Sequence, residues 1–234
     1  LTALAIGDLA IQAGFPKGSI NIVPGHGSES GLSLTQHPKV RHLSFTGSVE
    51  VGKIIQTEAA KNLVPVTLEL GGKSPQIVFD DANLDQAMSF LVNAGIQNAG
   101  QTCSASSRIL VSKKMYPELM ERMMDIYKNL RVGQALDDLE LGPVISKRQK
   151  TIIENYLKFS SDLECISTGR LEDDLPQKGN YIVPQLFGNV STSHKLAQEE
   201  IFGPIQVLIP FEDEEEAISI ANGTKYGLVA SVWT

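Results

Sequence analysis

The chain has 234 residues, of which 42% are hydrophobic and 20% are charged, and its formal net charge is -7. This composition is typical of a globular protein. The negative charge disfavours nucleic acid and anionic membranes as partners, because binding to phosphates requires clustered Lys and Arg. No apolar run approaches the roughly 18 residues that suggest a transmembrane helix, and the N-terminus lacks a signal-peptide pattern. Two cysteines without a disulfide or CxxC framework favour reduced thiols, so we expect a cytoplasmic protein.

The first 70 residues alternate helical and strand patterns. Apolar residues at helical spacing begin at Leu1, and Gly14 and Pro16 end that pattern before a short apolar run. A glycine-rich loop then follows. In chain order the spacing predicts a helix at the start, a strand over 20–23, a helix over 29–36, a strand over 40–45, a helix over 48–61 and a strand over 66–70.

Gly71 and Gly72 interrupt the pattern and mark the predicted boundary between two domains. Beyond them we predict strands over 75–79, 108–112, 163–168, 181–187, 205–211 and 228–233, and helices over 83–98, 116–130, 146–160 and 213–223. Strands that alternate with helices imply right-handed crossovers and largely parallel sheets. The predicted fold class is α/β, with two largely parallel-sheet units at 1–70 and 71–234. A cleft between two such units is a common place for a small-molecule site.

Cys103 has an unusual setting for a free cysteine. It lies in "QNAGQTCSASSR", among small and polar neighbours, whereas free cysteines are usually found in the apolar interior. A thiolate on such a loop could act as a nucleophile, with main-chain N–H groups facing a developing oxyanion. A half-buried cysteine in a serine-rich turn, without catalytic function, is an equally open interpretation.

Glu69 is a carboxylate in the apolar strand pattern "VTLEL". A buried, unpaired carboxylate is costly, so such a residue is usually paired with a cation, exposed at the strand end, or functional with a raised pKa. A raised pKa suits a general base. An ion pair with Lys73 is the structural alternative.

Gly47 and Ser48 lie where a predicted strand meets a predicted helix, in "SFTGSVEVG". A helix N-terminus attracts phosphate groups, although a glycine before a serine N-cap is also ordinary helix-start chemistry. The G-x-G-x-x-G, P-loop and H-E-x-x-H patterns are missing from the sequence. The four histidines are dispersed, so we expect no metal site, and no Ser lies in a G-x-S-x-G elbow.

Four motifs occur in a fixed order: "FTGSVEVG", "LELGGKSP", "NAGQTC" and "EEIFGP", with Cys103 34 positions after Glu69. With these motifs the chain resembles the NAD(P)-dependent aldehyde dehydrogenase superfamily along essentially its whole length. The resemblance implies a three-layer α/β/α fold, incomplete in both units. Residues 1–70 would be the later part of a Rossmann-like cofactor domain, and residues 71–234 most of the catalytic domain without its C-terminal part.

The resemblance also implies the roles of individual residues. Cys103 matches the nucleophile that attacks the aldehyde, and Glu69 matches the base that activates water to hydrolyse the thioester. Gln149 resembles a ribose contact, but we leave it out because Ile152 replaces the lysine that often follows three residues later. The implied contacts to NAD or NADP are Gly47, Ser48, Val51, Gly52, Glu200 and Phe202.

The implied substrate is a small-molecule aldehyde, and the implied parent enzyme is a homo-oligomer. The family takes a second oxyanion-hole donor from a segment upstream of Leu1, so we expect this chain alone to be nearly inactive. Two other functions remain open. A CoA-acylating relative is disfavoured by Glu69, and a non-catalytic structural or binding protein on the same fold is disfavoured by the presence of both Cys103 and Glu69.

Overall fold

A computed structural model describes residues 1–234, and the chain divides into two units, Leu1–Leu70 and Gly71–Thr234. The α-helices are α1 (Thr2–Gln12), α2 (Leu32–Thr35), α3 (Val49–Ala60), α4 (Leu84–Ile96), α5 (Tyr116–Asn129), α6 (Lys147–Leu157), α7 (Lys195–Gln198) and α8 (Glu214–Asn222). The strands are β1 (Leu43–Thr46), β2 (Val66–Glu69), β3 (Pro75–Val78), β4 (Arg108–Ser112), β5 (Arg131–Val132), β6 (Glu164–Thr168), β7 (Arg170–Leu171), β8 (Gln185–Gly188), β9 (Ile205–Phe211) and β10 (Ser231–Trp233). None of the helices has both the length and the apolar character needed to cross a lipid bilayer.

The first unit contains a two-stranded parallel sheet of β1 and β2, in which Thr46 pairs with Glu69 at the carboxyl ends. The Gly47 N–H donates to the Glu69 main-chain oxygen at 3.0 Å, and this bond continues the pairing past the strand end. Helix α3 begins directly afterwards, because the Ser48 side chain accepts the N–H of Val51 at 3.3 Å. The start of α3 and Glu69 therefore lie together at one edge of this sheet.

The strand predicted over 20–23 is wrong: this segment is irregular. A strand needs a ladder partner, and the only sheet of this unit consists of β1 and β2. An apolar run by itself does not supply that partner. The strand predicted over 40–45 begins only at Leu43, because the Val40 N–H donates to His37 in a turn. The helix predicted over 29–36 is a π-helical turn, Gly27–Gly31, followed by α2.

The second unit contains a six-stranded sheet in the order β10-β3-β4-β9-β8-β6. Every neighbouring pair is parallel except β6 with β8, so the prediction of a largely parallel sheet is confirmed. The register of the central strands aligns Pro75 with Arg108 and Arg108 with Val207. All side chains of β4 and β3 are buried, as expected of central parallel strands covered on both faces.

Several boundaries in the second unit differ from the prediction. The strand expected over 181–187 begins only at Gln185, since Pro184 has no N–H to donate to a ladder. The final strand begins at Ser231 rather than at 228. The two-residue strands β5 and β7, which pair with each other, were not predicted because they are too short to show a period. The helix predicted over 146–160 is α6 followed by a 3-10 turn, Lys158–Ser160.

Two buried glutamines tie α4 to the sheet beneath it. The side-chain amides of Gln76 and Gln206 both donate to the Leu91 main-chain oxygen at 2.9 Å. Gln206 also donates to Ser106 at 2.8 Å and accepts from the Tyr127 hydroxyl at 2.6 Å. Because every one of these polar atoms has a partner, the network fixes the end of α4 and the loop that follows it.

Candidate active site

Three segments of the second unit meet at the amino edge of its sheet. They precede the neighbouring strands β3, β4 and β9, and they contain Gly72, Cys103 and Glu200 respectively. The Gly72 N–H donates to Oε1 of Glu200 at 3.1 Å. On its other side Gly72 lies so close to Cys103 that an added Cβ would overlap the main-chain oxygen of Cys103. The structure therefore brings Cys103 and Glu200 together around Gly72.

The chain before Cys103 has an unusual conformation. Helix α4 ends at Ile96, and the following turn has three consecutive residues with left-handed φ values: Asn98 (52°), Ala99 (55°) and Gly100 (73°). Two of them are not glycine, and non-glycine residues in this region are uncommon and cost free energy. Cys103 itself is half-buried and lies in a turn closed by the Ala105 N–H donating to Thr102 at 3.0 Å.

Side-chain amides hold this strained turn. The Asn98 amide donates to the Gln101 main-chain oxygen at 3.1 Å, and the Gln101 amide donates in return to Asn98 at 3.0 Å. The other side-chain atom of Gln101, Oε1, accepts the Ile145 N–H at 3.0 Å. We did not single out either residue from the sequence, although the amides that flank "AG" before the cysteine are a signal that could have identified them.

The loop with Glu200 and Phe202 is held in a similar way. Phe202 has a left-handed φ of 57° and keeps 36% of its surface exposed. The Gln149 side-chain amide donates to the main-chain oxygens of Ile201 at 3.3 Å and Phe202 at 3.0 Å. Gln149 lies in the first turn of α6, which Ser146 caps by accepting the Gln149 N–H at 3.1 Å. Gln149, which was left out of the predicted site, therefore holds the main chain at Phe202 by hydrogen bonds.

A narrow cleft opens beside the nucleophile candidate. Its walls come from the loops before β4 and β9 and from the segment before β3. The lining residues are Gly72, Gly100, Thr102, Ala105, Ser107, Glu200, Ile201, Phe202 and Gly203. Most of these residues are small or polar, and Ile201 and Phe202 are the large apolar ones.

Lys73 is a buried lysine that lines a separate cavity together with Arg108. Its side chain is 2% exposed, and its Nζ has no hydrogen-bonding partner. Burial, and to a smaller extent the Arg108 charge, lower the pKa of Lys73 to about 7, while Glu200 and Glu199 oppose this shift. Lys73 Nζ therefore forms no hydrogen bond to a carboxylate.

Arg108 shares this interior with Lys73. Its guanidinium donates to the main-chain oxygens of Lys73 at 2.8 Å and of Ile220 and Ala221 at 2.9 Å each. Burial lowers the pKa of Arg108 to about 10. The residue thus connects the start of β3 to the end of α8.

The remaining predicted site residues lie in the first unit. Glu69 is exposed at the end of β2, one of the three settings considered for this carboxylate. Gly47, Ser48 and Val51 are exposed at the start of α3. Gly52 is buried, and an added Cβ would lie 2.7 Å from Leu70 Cδ2, so its lack of a side chain allows close packing of helix on strand. This unit brings Glu69 together with Gly47 and Ser48.

Both cysteines are free thiols. Burial raises the pKa of Cys165, whose Sγ lies 3.6 Å from the Ser167 main-chain oxygen. No group of three or more His, Cys, Asp or Glu side chains is placed to hold a metal ion. The predicted site residues thus lie at the amino edge of the large sheet and at the carboxyl edge of the small one.

The comparisons with known proteins agree with this architecture. The model of the aldehyde dehydrogenase family matches residues 1–234. The chain is 44% identical over 240 residues to an aldehyde dehydrogenase of Enchytraeus buchholzi and 43% identical over 240 residues to aldehyde dehydrogenase, cytosolic 1, of Rattus norvegicus. Each match covers 100% of the chain and 47% of the relative.

A solved structure shows the same fold. Betaine aldehyde dehydrogenase from Staphylococcus aureus, in complex with NAD+, matches with a TM-score of 0.93 and 39% identity, over 100% of this chain and 47% of that one. The chain thus spans about half the length of the relatives it matches. Because the family model covers every residue, and the predicted α/β fold agrees with that of a solved member, the chain belongs to the aldehyde dehydrogenase family.

Proposed function

We propose that the chain is part of an NAD(P)+-dependent aldehyde dehydrogenase that oxidises an aldehyde to a carboxylic acid. In this proposal the unit Leu1–Leu70 belongs to the cofactor domain and the unit Gly71–Thr234 to the catalytic domain. The observation that carries the proposal is the contact of Gly72 with both Cys103 and Glu200, which joins a nucleophile candidate to a cofactor-binding candidate. Family membership supports the same chemistry.

The residues present fit a dinucleotide. The start of α3 offers the positive end of a helix dipole to a pyrophosphate, with Ser48 at the cap and the exposed Val51 for apolar contact. Gly52 would act through packing, because it is buried. Glu200 would accept hydrogen bonds from the nicotinamide ribose, and Phe202 would pack beside the ring. When bound, the nicotinamide would accept a hydride, that is, one proton with two electrons.

Cys103 would carry the covalent chemistry. Its thiolate attacks the carbonyl carbon of the aldehyde; a C–S bond forms, and the π electrons move to oxygen to give a thiohemiacetal. Loss of hydride from that carbon restores the C=O bond and leaves a thioester on the sulfur. Main-chain N–H groups of the loop around Cys103 would stabilise the negative oxygen. The small residues on that loop leave room for the aldehyde.

Glu69 would act in the second half of the reaction. Its carboxylate takes a proton from water, and the water oxygen attacks the thioester carbon. The C–S bond then breaks, the acid leaves, and the thiolate is restored. The exposure of Glu69 at a strand end supports this role, since water has access to the carboxylate.

The test is an acyl-trapping experiment in the full-length enzyme that contains this chain. With acetaldehyde and NAD+ or NADP+, Glu69→Gln should form reduced cofactor in a single burst and retain an acyl group on Cys103, visible by mass spectrometry. Cys103→Ala should show neither, whereas the control Cys165→Ser should turn over like wild type. Steady turnover by Cys103→Ala would contradict the proposal.

The same samples separate the two alternatives. Formation of acyl-CoA rather than free acid on addition of CoA would identify a CoA-acylating enzyme. Absence of both cofactor reduction and acylation in the full-length protein would favour a non-catalytic role. Homo-oligomerisation and a cytoplasmic location remain predictions.

We also propose that this chain alone is nearly inactive. Removal of one oxyanion-hole donor costs on the order of a hundredfold in rate, and the chain spans only about half of its relatives. Robust production of NADH or NADPH by the 234-residue chain with acetaldehyde would refute this expectation.

A further inference from the structure

The pair Gly71-Gly72 lies between the two proposed functional groups of the second unit. Neither glycine has a left-handed φ, so backbone conformation does not require glycine at either position. Glycine is required because there is no space for a side chain at either position. An added Cβ at Gly71 would overlap the carboxylate of Glu200, and an added Cβ at Gly72 would overlap the main-chain oxygen of Cys103.

The contact with Glu200 is directional. The Gly72 N–H donates to Oε1 at 3.1 Å, while Oε2 lies against the Cα of Gly71. One oxygen of this carboxylate accepts a main-chain N–H, and the other packs against a Cα that carries no side chain. These two contacts define the position and the plane of the carboxylate. That plane could not be kept if residue 71 carried a side chain.

We propose that Gly71-Gly72 is a positioning element that sets the place of the Glu200 carboxylate relative to Cys103, and thereby the place of the nicotinamide ribose. This inference rests on the proposed function. Neither glycine is a catalytic residue, because each acts through another group. Gly71 acts by leaving room, and Gly72 acts by its N–H and by its contact with the Cys103 main chain.

The two glycines differ in what a methyl group would displace. At Gly71 the obstacle is the end of a flexible side chain, so Gly71→Ala should move the carboxylate and leave the fold intact. At Gly72 the obstacle is main chain, so Gly72→Ala would disturb the nucleophile loop itself. Gly71→Ala is therefore the selective variant. Gly227→Ala is the matched control, because an added Cβ there meets no atom within 4 Å.

The first experiment measures binding of NAD+ and NADP+ by calorimetry in the full-length enzyme, with the alkylation rate of Cys103 as a second readout. Gly71→Ala should weaken cofactor binding by about tenfold while leaving the alkylation rate and the melting temperature near those of wild type and Gly227→Ala. In a Glu200→Ala background, which has no carboxylate to displace, Gly71→Ala should add little further loss.

The second experiment needs no cofactor and uses hydrogen exchange of the 234-residue chain. Glu200→Ala removes the acceptor of the Gly72 N–H, so exchange at Gly72 should accelerate by about tenfold, with core amides such as that of Leu110 unchanged. Unchanged hydrogen exchange at Gly72 would overturn the inference. So would a loss of cofactor affinity on Gly71→Ala that is as large in the Glu200→Ala background as in the wild type. If wild-type enzyme binds neither NAD+ nor NADP+, the proposed function itself fails; if it binds and Gly71→Ala binds equally well, only the positioning role fails.

Discussion

The side-chain amide of Gln149 donates to the main-chain oxygen of Phe202 at 3.0 Å and so holds a left-handed residue in place. Such a conformation persists only where surrounding contacts compensate for its cost. The second bond of the same amide, to Ile201 at 3.3 Å, fixes the preceding peptide as well. One glutamine on α6 thus determines the shape of the loop between Glu200 and β9.

Gln149→Met should release this loop. Loss of two hydrogen bonds to main-chain oxygens is expected to lower the free energy of unfolding by about 1–2 kcal/mol. Binding of NAD+ should weaken by about fivefold, because Phe202 is no longer held at the site. Chemical denaturation and calorimetry measure the two effects. Arg148→Met, at an exposed neighbouring position of the same helix, is the control, and equal effects of both substitutions would contradict the assigned role.

Gly100→Ala should be strongly destabilising. Gly100 has a φ of 73°, and an added Cβ would overlap the main chain of Gly203. Both the strained φ and the backbone overlap add cost, so the loss should exceed about 2 kcal/mol. Gly142→Ala, where nothing lies within 4 Å, should change the free energy of unfolding by less than about 0.5 kcal/mol. Similar denaturation midpoints for the two variants would show that the turn before Cys103 is not fixed against Gly203.

The two thiols should differ in reactivity. Cys165 is the more exposed of the two cysteines, but partial desolvation of its sulfur raises its pKa and reduces its thiolate fraction near neutral pH. We expect iodoacetamide to alkylate Cys103 about tenfold faster than Cys165, as measured by peptide mass spectrometry on the 234-residue chain. In denaturant the two rates should converge, and Cys165→Ser should leave the rate at Cys103 unchanged. Equal, slow rates in the folded chain would indicate an inert Cys103.

Lys73 should make stability depend on pH. Its pKa is about 7 in the folded protein because of burial and the Arg108 charge, while the unfolded chain has an ordinary lysine pKa of about 10.4. The unfolded state therefore binds more protons between these values, and this contribution to the free energy of unfolding rises with pH across that window. Below pH 7 Lys73 is protonated in the folded and the unfolded state, so the folded state bears the full free-energy cost of the buried charge.

Lys73→Met should consequently stabilise the chain more near pH 6.5 than near pH 9.5, values chosen at about the two ends of the window. Urea denaturation at both pH values, relative to wild type, gives the difference. The control is Lys178→Met, which replaces an exposed lysine and should show no such trend. A Lys73→Met effect that is independent of pH would mean that Lys73 stays charged in the folded chain.

The sequence was sufficient for the order of the longer helices and strands, whose periods are visible, and for the family, because the motifs that contain Glu69, Cys103 and Glu200 are local patterns. It was insufficient at 20–23, where an apolar run has no strand partner in this unit. The left-handed values at Asn98 and Ala99 were also unpredictable, because they depend on hydrogen bonds formed only in the folded turn.

The edge of the large sheet at which the second-unit candidate site lies was not predicted either. Parallel α/β sheets usually bind ligands at the carboxyl ends of their strands, and Glu69 lies at that end of the small sheet. The segments around Gly72, Cys103 and Glu200 instead precede their strands. Only the register of the folded sheet shows that these three segments meet.

This amino-edge arrangement restricts where the protein can tolerate changes in length. One residue added within β3, β4 or β9 would shift the loop before that strand by about 3.3 Å and turn its side chains to the opposite face. The carboxyl ends of the same strands carry exposed ion pairs, Lys113 with Glu212 and Lys114 with Asp80. Insertions and deletions among homologues should therefore accumulate beside those ion pairs, leaving the distance between the Cys103 sulfur and the Glu200 carboxylate unchanged.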